Sequence, residues 1–287
     1  MFYVVCSGTA FGQSTADGSD IRTDIVAFRN AVILKAKSSG SELTFKTHAD
    51  DPYLITCLRD GEEAGFVSLH NGFNQVLSYP EDDPYEVVLQ FANSILALDA
   101  TETEIDKKNI VFVLRSKEFI DSVVSLTGET DQIISEHFIS EHFVGELHKL
   151  YMVDSPSSLA MLNRDALKAF KDFDLNATAL SNVRAQVSSL TVEPLTESIS
   201  LYYVEDNEFL TSSVILLDEF WTKLDRSGEK EYLFTLPRKD QLFILEAKEP
   251  NALINARTIV EVTLEDNFNI LSPQIFRRKN GNITLVE

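Results

Sequence analysis

Apolar residues recur along this chain with two periods, and each period marks a set of elements. Leu43-Thr-Phe-Lys-Thr-His48 alternates, with Leu43, Phe45 and Thr47 on one side, as a half-buried strand does. Asp50-Asp51-Pro52 turns the chain into a second run at 53–58, and Asp60-Gly61 turns it again into Gly65-Phe-Val-Ser-Leu69. Three short runs joined by tight turns predict an antiparallel meander. Helical spacing takes over from Pro84 to Leu98, where Val87, Val88, Phe91, Ile95 and Leu98 share a face behind the start signal Asp82-Asp83-Pro84. Residues 71–80 read as a short helix or loop, and 21–36 as a helix whose end could equally be a strand.

Ile110-Val-Phe-Val-Leu114 is apolar without interruption, which predicts a central strand covered on both faces. Ser116 is placed to cap a following helix that turns Phe119, Ile120, Val123 and Val124 inward. Further on, the pattern predicts strands at 147–153, 198–204 and 232–236, a strand or a helical turn at 242–245, and helices at 163–173, 176–190, 212–224 and 252–263. Asn280-Gly281 between Ile275-Phe276 and residues 283–286 predicts a hairpin. The fold class is therefore α+β: an N-terminal antiparallel meander with helices, followed by a larger mixed α/β domain. The 287 residues suit two domains, and the polar run from Ala100 to Lys108 sets the boundary, giving 1–100 and 101–287.

Charge changes this picture most. The chain carries 45 acidic and 25 basic residues, a formal net of −20. That field repels phosphate, so direct nucleic-acid binding is not expected, while a basic partner protein is favoured. The excess is lopsided: residues 50–150 hold 20 Asp/Glu against 6 Lys/Arg, whereas 236–287 hold 7 of each. Within the acidic stretch, Asp82, Asp83, Glu86, Glu102 and Glu104 are the candidates to meet such a partner. Trp221, in the predicted 212–224 helix, is core by default and otherwise a hot-spot anchor.

Composition narrows the setting. Cys6 and Cys57 make no disulfide framework, so a reducing cytoplasm is the expected location. No stretch nears the roughly 18 apolar residues of a membrane span, so no membrane partner is expected. Residues 1–20 read as a buried first strand followed by a loop, as a loose tail, or as the remnant of a longer start.

Catalytic signatures are missing. His137 and His142 stand five residues apart, about 500° of helical rotation, so their rings diverge by roughly 140° and cannot grip one ion from a regular helix. No metal site is expected there, and an exposed Glu/His face fits better. The Ser-Gly pairs lie in loops rather than in a strand–turn–helix elbow. The 11 glycines are scattered and build no phosphate loop, so no cofactor is expected. The carboxylate pairs Asp50-Asp51, Glu62-Glu63, Asp82-Asp83 and Glu205-Asp206 sit at turns, where Asp serves the local backbone.

Several short motifs in the second half carry a resemblance. They are Val113-Leu114-Arg115-Ser116 before a helix, Gly145-Glu-Leu-His-Lys-Leu-Tyr-Met-Val-Asp154, the helix pair with Ala179 and Asn182, Ser212-Ser213-Val-Ile-Leu-Leu217, and Leu236-Pro237-Arg238-Lys239-Asp240. In this order they resemble the YtpQ-like family of bacterial proteins, a domain of unknown function. Leu69-His70-Asn71 and the helix after Pro80 extend the likeness over roughly residues 43–286. The resemblance implies a cytoplasmic bacterial protein with no assigned reaction. It marks Arg115, Asp154, Asn182 and Arg238 as positions to test; the alternative for each is a local ion pair, cap or hydrogen bond. The family's Pro-Ser-Arg-Asp reads Pro-Arg-Lys-Asp here, which puts the role of Arg238 in doubt.

The expected function is that of a non-enzymatic interaction protein whose acidic first half engages a basic partner, one form being an immunity or inhibitor protein that covers a basic, nucleic-acid-acting toxin. The alternatives are a hydrolase assembled from scattered groups such as Asp154, Asn182 and Arg238, and a subunit of a larger complex.

Overall fold

Asp24 opens the first helix. Its carboxylate accepts from the amides of Val26 at 2.8 Å and Ala27 at 3.3 Å, and Phe28, Val32 and Ala36 then fall at successive turns on one buried face. The computed structural model describes residues 2–5, 21–49, 51–99, 105–121, 139–155, 158–162, 164–167, 173–265 and 269–287. Its class is α+β. The chain divides into two compact units, one of Met1–Asn109 with Val153–Asn163 and one of Ile110–Met152 with Arg164–Glu287. The division therefore lies nine residues beyond the expected boundary at 100, and a later segment returns to the first unit. No local pattern in the sequence marks that return.

The first unit holds β1 (Phe2–Val5), α1 (Ile25–Ser38), β2 (Thr44–Thr47), β3 (Leu54–Arg59), β4 (Glu62–Ser68), α2 (His70–Ser78) and α3 (Pro84–Asp99). The chain then runs through β5 (Ile110–Ser116), β6 (Ser140–Val144) and β7 (Leu147–Ser155) before β8 (Ser158–Met161). The predicted meander is present: β2, β3 and β4 are antiparallel neighbours. Asp60 and Gly61, at φ +53° and +85°, form the β3–β4 turn, a conformation that Asp tolerates and Gly adopts without cost. β1 adds to β4 in parallel and to β8 antiparallel, giving the order β2-β3-β4-β1-β8. The helices cover this sheet, packing Phe28, Val32, Phe73, Phe91, Ile95 and Leu98 with Ile55, Cys57 and Val67. A Cβ on Gly72 would run into the ring of Phe91, so α2 meets α3 at a residue that must stay small.

The second unit continues with α4 (Arg164–Leu167), α5 (Leu175–Gln186), β9 (Leu190–Pro194), β10 (Ile199–Val204), a 3₁₀ segment Glu208–Leu216, α6 (Asp218–Leu224), β11 (Tyr232–Thr235), β12 (Leu242–Glu246), α7 (Ala252–Thr263), β13 (Ile275–Lys279) and β14 (Asn282–Leu285). Six of its strands form an antiparallel sheet in the order β14-β13-β11-β12-β10-β9. Alternation divides its side chains. Leu233, Leu245 and Ile275 meet Ala252, Ala256 and Val260 of α7, while Phe234 stacks on Phe276 and touches Trp221 on the other face. Asn280 and Gly281, at φ +51° and +78°, close the predicted β13–β14 hairpin.

Two local readings are corrected. The predicted 212–224 helix is a 3₁₀ segment and a separate α6, divided at an extended Leu217 (φ −93°, ψ +114°). The cap of α5 is Asp174, which accepts from Ala177 N at 2.9 Å, so the helix starts ahead of Asn176 and ends at Gln186. The Glu141-His142-Phe143 stretch lies on strand β6, and there Glu141 and His142 are exposed and Phe143 half-buried, as expected of an exposed Glu/His face.

Candidate functional site

The uninterrupted apolar run of β5 does mean burial: Ile110 to Leu114 are each at most 1 % exposed. It does not mean a central position, because β5 lies at an end of its sheet order, next to β7. Its outer edge is closed by side chains instead. The carbonyls of residues two apart point the same way. Asn182 Nδ2 donates to Ile110 O, Ser213 Oγ to Phe112 O and Arg115 Nη1 to Leu114 O, each at 2.7 Å. α5 and the 3₁₀ segment supply the first two donors. Asn182 is thus a strand-edge partner, and Asn182→Ala should cost about 1–3 kcal/mol, the penalty for orphaning a buried carbonyl, read from chemical unfolding.

Arg115 itself is wholly buried. Beyond the Leu114 carbonyl, its guanidinium lies 5.8 Å from the ring of Phe119, and neither Nε nor Nη2 has a hydrogen-bond partner among the described residues. Burial pulls its pKa down to about 10, which still leaves it charged near neutrality. A second buried cation lies within electrostatic reach. Lys239 occupies the β11–β12 connection, is 7 % exposed, and is anchored through its backbone amide to Asn269 O at 3.0 Å. Burial, and then the charge of Arg115, lower the Lys239 ammonium from the usual 10.5 to about 7, against the opposing pull of Asp240 and Glu208. Glu208 opens the 3₁₀ segment, and burial followed by the charge of Asp240 raises its carboxyl pKa. No ion pair within 4.0 Å joins Arg115 or Lys239 to a carboxylate among the described residues. Three buried hydroxyls lie on the 3₁₀ segment that Glu208 opens: Thr211 Oγ1 accepts from Val204 N at 2.9 Å, Ser213 holds β5, and Ser212 Oγ has no hydrogen-bond partner among the described residues.

The other sequence candidates fall elsewhere. Arg238 donates from Nε and Nη2 to Thr263 O, at 3.2 and 3.1 Å, and so closes the C-terminus of α7. Asp154 is half-buried in the segment that belongs to the first unit, whereas Asn182 and Arg238 belong to the second and serve two different carbonyls. Trp221 is 2 % exposed and cannot present an anchor to a partner. Its Nε1 donates to Ile215 O at 2.8 Å, and Arg278 stacks on it with its guanidinium carbon 4.7 Å from the ring centroid. His142 faces His148 across β6 and β7 with ring centroids 5.4 Å apart, and no group of three or more metal-ligating side chains exists among the described residues. His137, Glu102 and Glu104 lie outside the described residues.

The acidic candidates of the first unit gather where α2 gives way to α3. Arg22 fixes that corner by donating from Nη1 to Pro80 O at 2.7 Å and from Nη2 to Asp82 O at 2.8 Å. Asp83 Oδ1 accepts from Tyr85 N at 3.0 Å, a helix-start bond, and Glu86 sits in the first turn of α3, where the helix dipole favours it. The carboxylates of Glu81, Asp82 and Glu86 make no hydrogen bond or ion pair among the described residues. Leu77 and Tyr79, 49 % and 40 % exposed, stand just before them.

No helix among the described residues is long and apolar enough to cross a membrane. Comparison of the chain with protein-family models, with curated proteins and with solved structures finds no match.

Proposed function

We propose that the protein is a non-enzymatic interaction protein that engages a basic partner protein through the α2–α3 corner of its first unit. One observation carries this reading: Glu81, Asp82 and Glu86 keep carboxylates without internal partners among the described residues, on a backbone that Arg22 holds in place. A fixed acidic group loses little entropy on meeting Lys or Arg, and Leu77 and Tyr79 add apolar and aromatic area beside it. The field of the first unit steers a cation inward, since its residues 50–109 hold 13 Asp/Glu against 3 Lys/Arg. An immunity or inhibitor protein that covers a basic toxin is one form of this activity. A bacterial cytoplasmic setting and membership of the YtpQ-like family, resting on the motifs around Arg115, Asp154, Asn182 and Arg238, belong to the same proposal.

The test is affinity capture from the native host with the full chain as bait, at about 50 mM and about 500 mM salt. The Debye length falls several-fold at the higher concentration. A basic protein retained at low salt and released at high salt is the expected result. A partner held equally at both concentrations would remove the electrostatic basis of the proposal.

A further inference from the structure

We infer that Arg115, Lys239 and Ser212 form a buried binding site for a small oxyanion that presents two oxygens, a carboxylate or a phosphate group. The guanidinium supplies the geometry. Nη1 is occupied by Leu114 O, which leaves Nε and Nη2 without hydrogen-bond partners among the described residues. Those two nitrogens point their N–H bonds along the same side of the planar group, the edge that grips two oxygens at once. The side chain is fully buried, so bulk solvent does not reach these two donors. Ser212 Oγ, from the 3₁₀ segment that packs on β5, is a third buried group without a hydrogen-bond partner among the described residues. Lys239 reaches the same neighbourhood from the β11–β12 connection and brings a second positive charge. Buried charges in proteins are paired or bind ions, and each unsatisfied donor is costly. Two cations from separate elements, neither paired with a carboxylate among the described residues, therefore define a place for an anion rather than a structural ion pair.

Binding should depend on pH through Lys239, whose charged neighbours are Arg115, Asp240 and Glu208. Its ammonium loses its proton as pH rises through about 7, so the anion is held more weakly above that value.

The experiment titrates the full chain with inorganic phosphate and, separately, acetate at constant ionic strength made up with chloride, reading the thermal unfolding midpoint and binding heat. Acetate keeps one charge from pH 6 to pH 9, so it reads the pH arm. The expected result is saturable binding over the chloride baseline, roughly ten-fold tighter at pH 6 than at pH 9. Phosphate alone, acetate alone or both binding supports the site and names the anion it takes. Lys239→Met should weaken binding at pH 6 by roughly ten-fold, and Arg115→Lys should abolish it. Should Arg115→Lys fail to fold, Lys239→Met and Ser212→Ala decide. No saturable binding of either anion overturns the inference, as does binding that Lys239→Met leaves unchanged. Binding that appears only in Glu208→Gln also overturns it, because the chain's own carboxylate would then fill the site.

Discussion

Lys239→Met should be more stable than the parent chain at pH 7, by an amount on the order of 5 kcal/mol, and the gain should shrink to nothing by about pH 10.5. The sign follows from where the ammonium titrates. In the unfolded chain it does so near 10.5, and in the folded protein at about 7. Below pH 7 both states carry the proton, and the folded state bears the full cost of a buried cation, about 5 kcal/mol at 1.36 kcal/mol per decade. Between 7 and 10.5 only the unfolded state holds the proton, so parent stability rises with pH across that window. Above it, neither state is charged. Methionine has no titration and fills a similar volume, which makes the difference between the two proteins a direct record of the charge. Urea unfolding followed by the fluorescence of Trp221, the single tryptophan of the chain, measures it. A gain that is constant with pH, or a loss at pH 7, would mean that Glu208 and Asp240 fully compensate Lys239. A fold that keeps such a costly group keeps it for binding more readily than for stability.

Trp221→Ala should be the most damaging single truncation considered, lowering unfolding free energy by about 3–5 kcal/mol, the range for a large aromatic lost from a core. The indole meets Phe220, Tyr232 and Phe234, lies under Arg278, and satisfies the carbonyl of Ile215. Truncation removes all of these contacts and leaves a buried acceptor unpaired. Trp221→Phe keeps much of the packing and should stay folded with partner capture intact, because a buried ring has no surface role. Capture lost from a folded Trp221→Phe protein would restore Trp221 to the interface.

What the sequence revealed, and what it hid, divides along a physical line. Turns were legible because Asp60-Gly61 and Asn280-Gly281 are residues that accept positive φ. Helix α7 was legible to the residue because its apolar stripe and its ends coincide. The burial of β5 was legible from its composition, but its place in the sheet was not, since a strand edge covered by Asn182 and Ser213 has the same apolar run as a central strand. The buried cations were hidden more deeply. Arg115 closes an apolar strand and Lys239 sits in a charged turn, and local pattern reads both as solvated. The one available signal was Thr211-Ser212-Ser213, three hydroxyls embedded in the apolar run from Phe209 to Leu217. The acidic corner was legible as charge, but not as fixed charge, because the Arg22 contacts span about sixty residues of chain.

The partner proposal meets its most direct test in two variants of equal charge. Glu81→Gln, Asp82→Asn and Glu86→Gln together remove three charges from the α2–α3 corner. Glu193→Gln, Glu197→Gln and Glu229→Gln remove three from exposed positions of the second unit. With the captured basic partner at about 50 mM salt, the first variant should bind at least ten-fold more weakly than the parent, while the second stays within about two-fold. Equal weakening by both would show that only net charge matters, and would contradict a defined binding corner in the first unit.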